Sequence, residues 1–242
     1  MSLAFDRGEL RWIRVGEREV LRGIYAAVRS PDWSTVPATL GNLAVDAGTD
    51  HFSVRFEAVH RAGAVWFEWT GRLEGSPEGR VRFDFDGVAR STFLRNRIGI
   101  CVLHPARECA GAACTVETTD GAAISGAFPR LVSPHQPFLG IRSIRHVVAS
   151  GVEAEVRFEG EVFEMEDQRN WSDASFKTYS TPLALPVPVE VREGERIRQA
   201  VTLSLLGEPE GRGENLAPGW LSEDPVQVAV SAGPGSPLPR LG

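Results

Sequence analysis

The sequence predicts an all-β protein: a large two-sheet antiparallel β-sandwich of the supersandwich kind, with little or no helix. Three observations point there. Apolar and polar residues alternate with period two in one segment after another, glycine- or proline-bearing turns separate the segments, and no window sustains a helical period with caps.

Residues 19–29 carry β-branched apolar positions and Gly23, and read better as a strand than as a helix. Phe52, Val54, Phe56 and Ala58 then alternate with Ser53, Arg55 and Glu57. Val65, Phe67 and Trp69 repeat the pattern, as do Val81, Phe83 and Phe85 and then Val152, Ala154, Val156 and Phe158. Ile197, Val201, Leu203 and Leu205 supply a late strand. Each implies a sheet with one face in a core and one toward water. Roughly a dozen or more such strands in one chain make two packed sheets the natural closure.

The sandwich is assigned to residues 1–206. From Gly207 to Gly242 the composition is that of a Pro/Gly-rich linker with one short strand at residues 226–230, and a further segment is expected to follow it.

At 242 residues and 42% hydrophobic, the chain can bury a full core. A net charge of −6 gives no reason to expect nucleic acid or an anionic membrane as partner. No stretch approaches the ~20 apolar residues of a membrane span, and the N-terminus lacks a signal-like apolar core, so a cytoplasmic protein is expected. Cys101, Cys109 and Cys114 are too few for a disulfide scaffold; free thiols are expected, with one local Cys109–Cys114 bridge as the alternative. No His is spaced for a zinc site, and neither metal nor cofactor is expected.

Three constellations carry the chemistry. The run Glu164–Tyr179 holds four acids, Arg169, the only lysine of the chain (Lys177), two amides and the aromatics Trp171 and Tyr179. It does not alternate cleanly enough for an ordinary half-buried strand. Its mixture suits a carbohydrate, whose hydroxyls bond amides and carboxylates while its C–H faces rest on rings. Glu166, Asp167 or Asp173 would accept protons or bind hydroxyls, Arg169 and Lys177 would hold an anionic or carbonyl oxygen, and Trp171 and Tyr179 would stack on the sugar. The alternative is a bulged loop whose charges pair among themselves. The second constellation, Arg90–Pro105, places Arg95, Asn96 and Arg97 at the head of an apolar strand ending at His104, a candidate general base. Its arginines would bind a carboxylate or polyol, or else pair with Asp84 and Asp86. In the third, two prolines bracket His135 and Gln136, so that His135 either meets His104 in a site or sits in a rigid connector.

The stretches Leu10–Arg14 (LRWIR), Arg90–Pro105 (RSTFLRNRIGICVLHP), Pro134–Pro137 (PHQP) and Phe163–Tyr179 (FEMEDQRNWSDASFKTY) resemble the N-terminal region of the D-apionate lactonase family, over about residues 9–206. That resemblance implies a small-molecule sugar lactone or sugar acid as ligand, in bacterial apiose catabolism. It also implies a (β/α) barrel following the sandwich, as an intramolecular partner. Asn96-Arg97-Ile98 alone is similar to a motif of galactose-mutarotase-like sandwiches.

Lactone opening by water needs a base and a partner for the developing oxyanion. Glu166, Asp167 or His104 are the candidate bases; Arg97, Arg169 or Lys177 are the candidate oxyanion partners. Two other readings stand beside this one: a non-catalytic carbohydrate-binding or barrel-supporting module, and a mutarotase- or epimerase-like enzyme using a His acid facing a carboxylate.

Overall fold

The computed structural model describes residues 1–207; the expected linker and its strand at 226–230 lie outside them. In chain order the strands are β1 (Ser2–Asp6), β2 (Glu9–Val15), β3 (Arg18–Arg29), β4 (Ala38–Ala47), β5 (Phe52–Ala62), β6 (Val65–Ser76), β7 (Arg80–Ala89), β8 (Phe93–Arg95), β9 (Arg97–Pro105), β10 (Ala113–Thr118), β11 (Ala123–Ala127), β12 (Ile141–Ala149), β13 (Val152–Glu159), β14 (Glu164–Asp167), β15 (Ser175–Tyr179), β16 (Val189–Val191) and β17 (Arg196–Gly207). Helix among the described residues is confined to one turn at Ala106–Cys109 and one 3₁₀ turn at Gln168–Trp171.

Two large antiparallel sheets form a sandwich. A six-stranded sheet runs β1-β2-β3-β9-β15-β14, a nine-stranded sheet runs β11-β10-β12-β13-β17-β7-β6-β5-β4, and β8 pairs with β16 in a small third sheet. The period-two segments became β5, β6, β7, β13 and β17, and residues 19–29 became most of β3. Their inward positions interdigitate: Phe56 meets the edge of Trp69 at 5.1 Å between centroids, and Trp69 lies 4.8 Å from Phe85. Gly71 faces Phe56 across the β5–β6 ladder, and the Phe56 ring lies where a Cβ of residue 71 would stand. The sheet keeps this glycine so that a large ring can lie flat on the strand beside it.

Outward, the nine-stranded sheet is covered by charge pairs such as Arg82 with Asp84 and Glu159, and Asp86 with Arg196 and Arg198. These pairs correct one expectation: Asp84 and Asp86 are taken by arginines of β7 and β17, not by Arg95 or Arg97. All three cysteines are free and buried, so the alternative Cys109–Cys114 bridge is not formed.

A polar side chain joins the two sheets. The β15–β9 ladder ends at Tyr179 opposite Cys101. Beyond it, the edge of β9 is taken over by Gln199 of β17. The Ile100 N–H donates to Gln199 Oε1 at 2.8 Å, Gln199 Nε2 donates to the Ile98 carbonyl at 3.3 Å, and Nε2 also donates to Ser180 Oγ at 2.9 Å. The Gln199 amide lies where a Cβ of residue 99 would stand, and Gly99 has φ +149°, so only glycine admits it there. Replacing Gln199 with Leu leaves a buried amide, carbonyl and hydroxyl without partners. Q199L is expected to cost about 2–4 kcal/mol, read as a lower urea midpoint at unchanged m-value; a loss under about 0.5 kcal/mol would remove Gln199 from this role.

Candidate functional site

The run that resists alternation is a hairpin. Glu164, Met165, Glu166 and Asp167 of β14 pair with Tyr179, Thr178, Lys177 and Phe176 of β15. Pairing sorts them by face. Met165, Phe176 and Thr178 point into the sandwich, while Glu164, Glu166, Lys177 and Tyr179 point to the far side of the six-stranded sheet. Alternation is hidden in the sequence because polar Asp167 and Thr178 occupy inward positions and the 3₁₀ turn interrupts the period.

On the far side two rows cross the sheet. One runs Arg11, Gly23, Leu103, Lys177, Glu166; the other runs Tyr25, Cys101, Tyr179, Glu164. Lys177 Nζ stands 3.3 Å from Glu166 Oε2, and Trp171 Nε1 donates to Glu166 Oε1 at 2.8 Å. The side chains of Lys177 and Glu166 are 14% and 22% exposed, which leaves both reachable from solvent. The Tyr179 hydroxyl donates to Glu164 Oε1 at 2.6 Å, an oxygen that also accepts the Leu183 N–H at 2.7 Å. Burial, reinforced by that bond to Glu164, raises the Tyr179 hydroxyl well above an ordinary phenol. Gln136 lies beside the same hydroxyl, which brings the 134–137 segment to the site.

Arg97 sits over this row. Its guanidinium carbon lies 3.8 Å from the Tyr179 ring on one side and 4.9 Å from the Trp33 ring on another. Lys177 Nζ lies 5.4 Å from the same Tyr179 ring. Trp33, Tyr25 and Glu164 were not among the sequence candidates. The Ser30-Pro31-Asp32-Trp33-Ser34 turn was the available signal for Trp33, since Asp and Ser side chains fold back on such loops.

Several candidates have other work. His104 is fully buried on the inward face, its Nε2 3.0 Å from Thr178 Oγ1 and its ring beside His146 and Phe128. It reaches neither water nor the Glu166 side of the sheet, which removes it as a base there; His135 is not among its ring neighbours. Asp167 is buried and bound bidentately by Arg169, with Nε and Nη2 at 2.8 and 2.7 Å. Burial alone would raise its carboxyl, but the Arg169 bonds and the Ser133 and Arg169 amides hold it below the usual range. Arg169 donates its remaining bonds to the carbonyls of Pro129, Arg130 and Leu131. The pair fastens the 129–133 loop to the hairpin, so Asp167 is not a free base and Arg169 not a free oxyanion partner. Asn96 donates to the Pro31 carbonyl at 3.0 Å, and Arg95 to Thr181 Oγ1 at 3.2 Å. Asp173 lies 3.9 Å from Arg22 at the other end of β15.

Among the described residues no group of three or more His, Cys, Asp or Glu side chains is placed to hold a metal ion. No helix there is long and apolar enough to cross a membrane.

Comparison with known proteins places these residues in context. The family model described as "D-apionate lactonase, N-terminal domain" matches residues 1–208. The D-apionate lactonase of Brucella anthropi is 36% identical over 243 residues, covering 100% of this chain and 39% of that protein. The chain thus spans about two-fifths of the relative's length. Among solved structures, a galactose mutarotase-like protein from Lactobacillus casei matches with a TM-score of 0.49 at 10% identity, over 84% of this chain and 96% of that one. A putative aldose 1-epimerase from Escherichia coli matches with a TM-score of 0.48 at 8% identity, over 86% and 99%. Likeness at this level carries no chemistry.

Two outcomes follow from the buried groups. Removing Arg169 strands a buried carboxylate, so R169A is expected to cost about 3 kcal/mol in chemical denaturation; R169A with wild-type stability would contradict the pairing. Burial lowers the imidazoles of His104 and His146 to about 3 and about 4. The unfolded chain therefore binds more protons than the folded one below pH ~6.5, and stability falls as pH drops from there toward 4. The melting temperature should decline over that window and decline less in His146→Gln; a flat profile would refute the burial argument.

Proposed function

The chain belongs to the D-apionate lactonase N-terminal domain family, and on that premise we propose that it is the β-sandwich part of a cytoplasmic sugar-lactone hydrolase that opens D-apionolactone to D-apionate. The single observation that carries the chemistry is the Glu166–Lys177 pair, set side by side at 3.3 Å on a reachable sheet face and flanked by Trp171 and Tyr179. A lactone resting on that face presents its ring carbonyl to Lys177. Glu166 takes a proton from a water as the water oxygen bonds to the acyl carbon, and the carbonyl electron pair moves to an oxygen held by the Lys177 ammonium. When the tetrahedral centre collapses, the acyl–ring-oxygen bond breaks. Glu166 returns its proton to the leaving alkoxide, and the new acid ionises. Trp171 fixes the Glu166 carboxylate through its indole N–H and offers a ring to the sugar's C–H face.

A second reading keeps the face but moves the chemistry. Trp171 and Leu131 are 72% and 83% exposed, and Leu183 is exposed as well. Apolar groups rimming a polar site suit a module that binds sugar for, or packs against, another part of a longer protein. The mutarotase- or epimerase-like reading keeps its place beside these; His104 faces the core, so its His acid would have to be another, such as His135 beside Gln136.

The test is hydrolysis of D-apionolactone by the protein in its full length. Glu166→Gln is expected to lower kcat at least 100-fold with an unchanged melting temperature, and Lys177→Met to lower it comparably. Wild-type turnover in both variants would overturn the catalytic reading and leave the module reading in place.

A further inference from the structure

We propose that the Trp33–Arg97–Tyr179 stack is a carboxylate subsite, which binds the open sugar acid in preference to neutral sugars, with Trp33 as the positioning residue. This rests on the lactonase reading and names what its site recognises.

Arg97 is a confined cation of the far face: its side chain is 12% exposed and lies against two aromatic rings. Two of its nitrogens, Nε and Nη2, are buried and bonded to nothing in the protein. Glu164 is the nearest carboxylate, but Nη2 stands 4.0 Å from its Oε1, and that oxygen already accepts from Tyr179 and Leu183. A guanidinium with unused donors in a low-dielectric setting gains most from a planar oxyanion, which bonds two nitrogens at once. A hydroxyl satisfies one donor and leaves the other without a hydrogen bond, so the subsite discriminates by what it leaves unpaired.

The stack is held in advance of any ligand. Trp33 has φ +68°, an uncommon conformation for a large residue, within a turn closed by Trp33 N–H to the Ser30 carbonyl at 2.9 Å and Ser34 N–H to Asp32 Oδ1 at 3.0 Å. Asn96, next to Arg97, bonds the Pro31 carbonyl of that turn, so the residues bearing the guanidinium and the indole are fastened together. From the other side Tyr179 is fixed through Glu164. Arg97 and Lys177 lie against the same Tyr179 ring. A carboxylate formed beside Lys177 therefore has Arg97 within reach, and the product acid stays bound until it is released as an anion.

Titration of the chain with D-apionate, D-gluconate and the neutral sugar D-apiose, followed by calorimetry and Trp fluorescence, tests this. Both acids should bind at least tenfold more tightly than D-apiose. Arg97→Gln should abolish that preference, Trp33→Ala should weaken acid binding about tenfold, and Trp33→Phe should restore it. Equal binding of acids and aldose, no binding of either acid, or an acid preference that survives Arg97→Gln would each overturn the subsite. Lactone hydrolysis is scored separately. Hydrolysis without acid preference sinks the subsite alone, whereas acid preference without hydrolysis sinks the lactonase reading alone.

Discussion

The far face of the six-stranded sheet depends on one polar contact at the edge of β9. Where β15 stops pairing, the Gln199 amide takes the backbone positions that a strand would have filled. An unfilled edge at that depth would leave a buried N–H and C=O without partners, each costing more than an ordinary hydrogen bond contributes. With Gln199 in place, β9 continues to Arg97 along β3 while the chain after Tyr179 departs at Ser180 and brings Leu183 onto Glu164. Gly99 is the condition for this, because the amide occupies the space of a side chain. The contact thus holds the sheets together and opens the space in which Arg97 meets Tyr179.

Strand pairing then divides labour by parity. The same hairpin that puts Met165 and Phe176 in the core puts Glu166 and Lys177 on the far side, so core packing fixes the site's geometry directly. Charges split the same way. Asp167 and Arg169 are consumed in tying down the 129–133 loop, while Lys177 and Glu166 keep some exposure and Arg97 keeps unbonded donors, which the proposed ligand would use. A site built on strands and braced by a buried ion pair needs little reorganisation when a ligand arrives.

The fold was legible because β5, β6, β7 and β13 alternate without interruption. The hairpin at 164–179 was not, since local alternation says nothing about a Thr at a core position or a 3₁₀ turn held by its own Asp cap. Residue types in the run singled out Glu166, Lys177 and Tyr179, which the structure brings side by side, yet Asp167 and Arg169 share that composition with a structural role. Only partners separate the two cases, and those partners are carbonyls of Pro129, Arg130 and Leu131, almost forty residues away. His104 failed for a related reason: its parity places it inward, opposite Phe176. Trp33 was missed because its value lies in stacking on Arg97, a contact between segments more than sixty residues apart.

Lys177 is the only lysine in the chain, so reductive ¹³C-methylation labels a single side chain besides the N-terminus. Its methyl resonance, observed while D-apionate is added, reports on the far face of the six-stranded sheet and nowhere else. A saturable shift of that resonance, lost in Glu166→Gln or Arg97→Gln, is the predicted result. An unmoved Lys177 signal at D-apionate concentrations that saturate binding elsewhere on the protein would contradict the assignment of this face as the site.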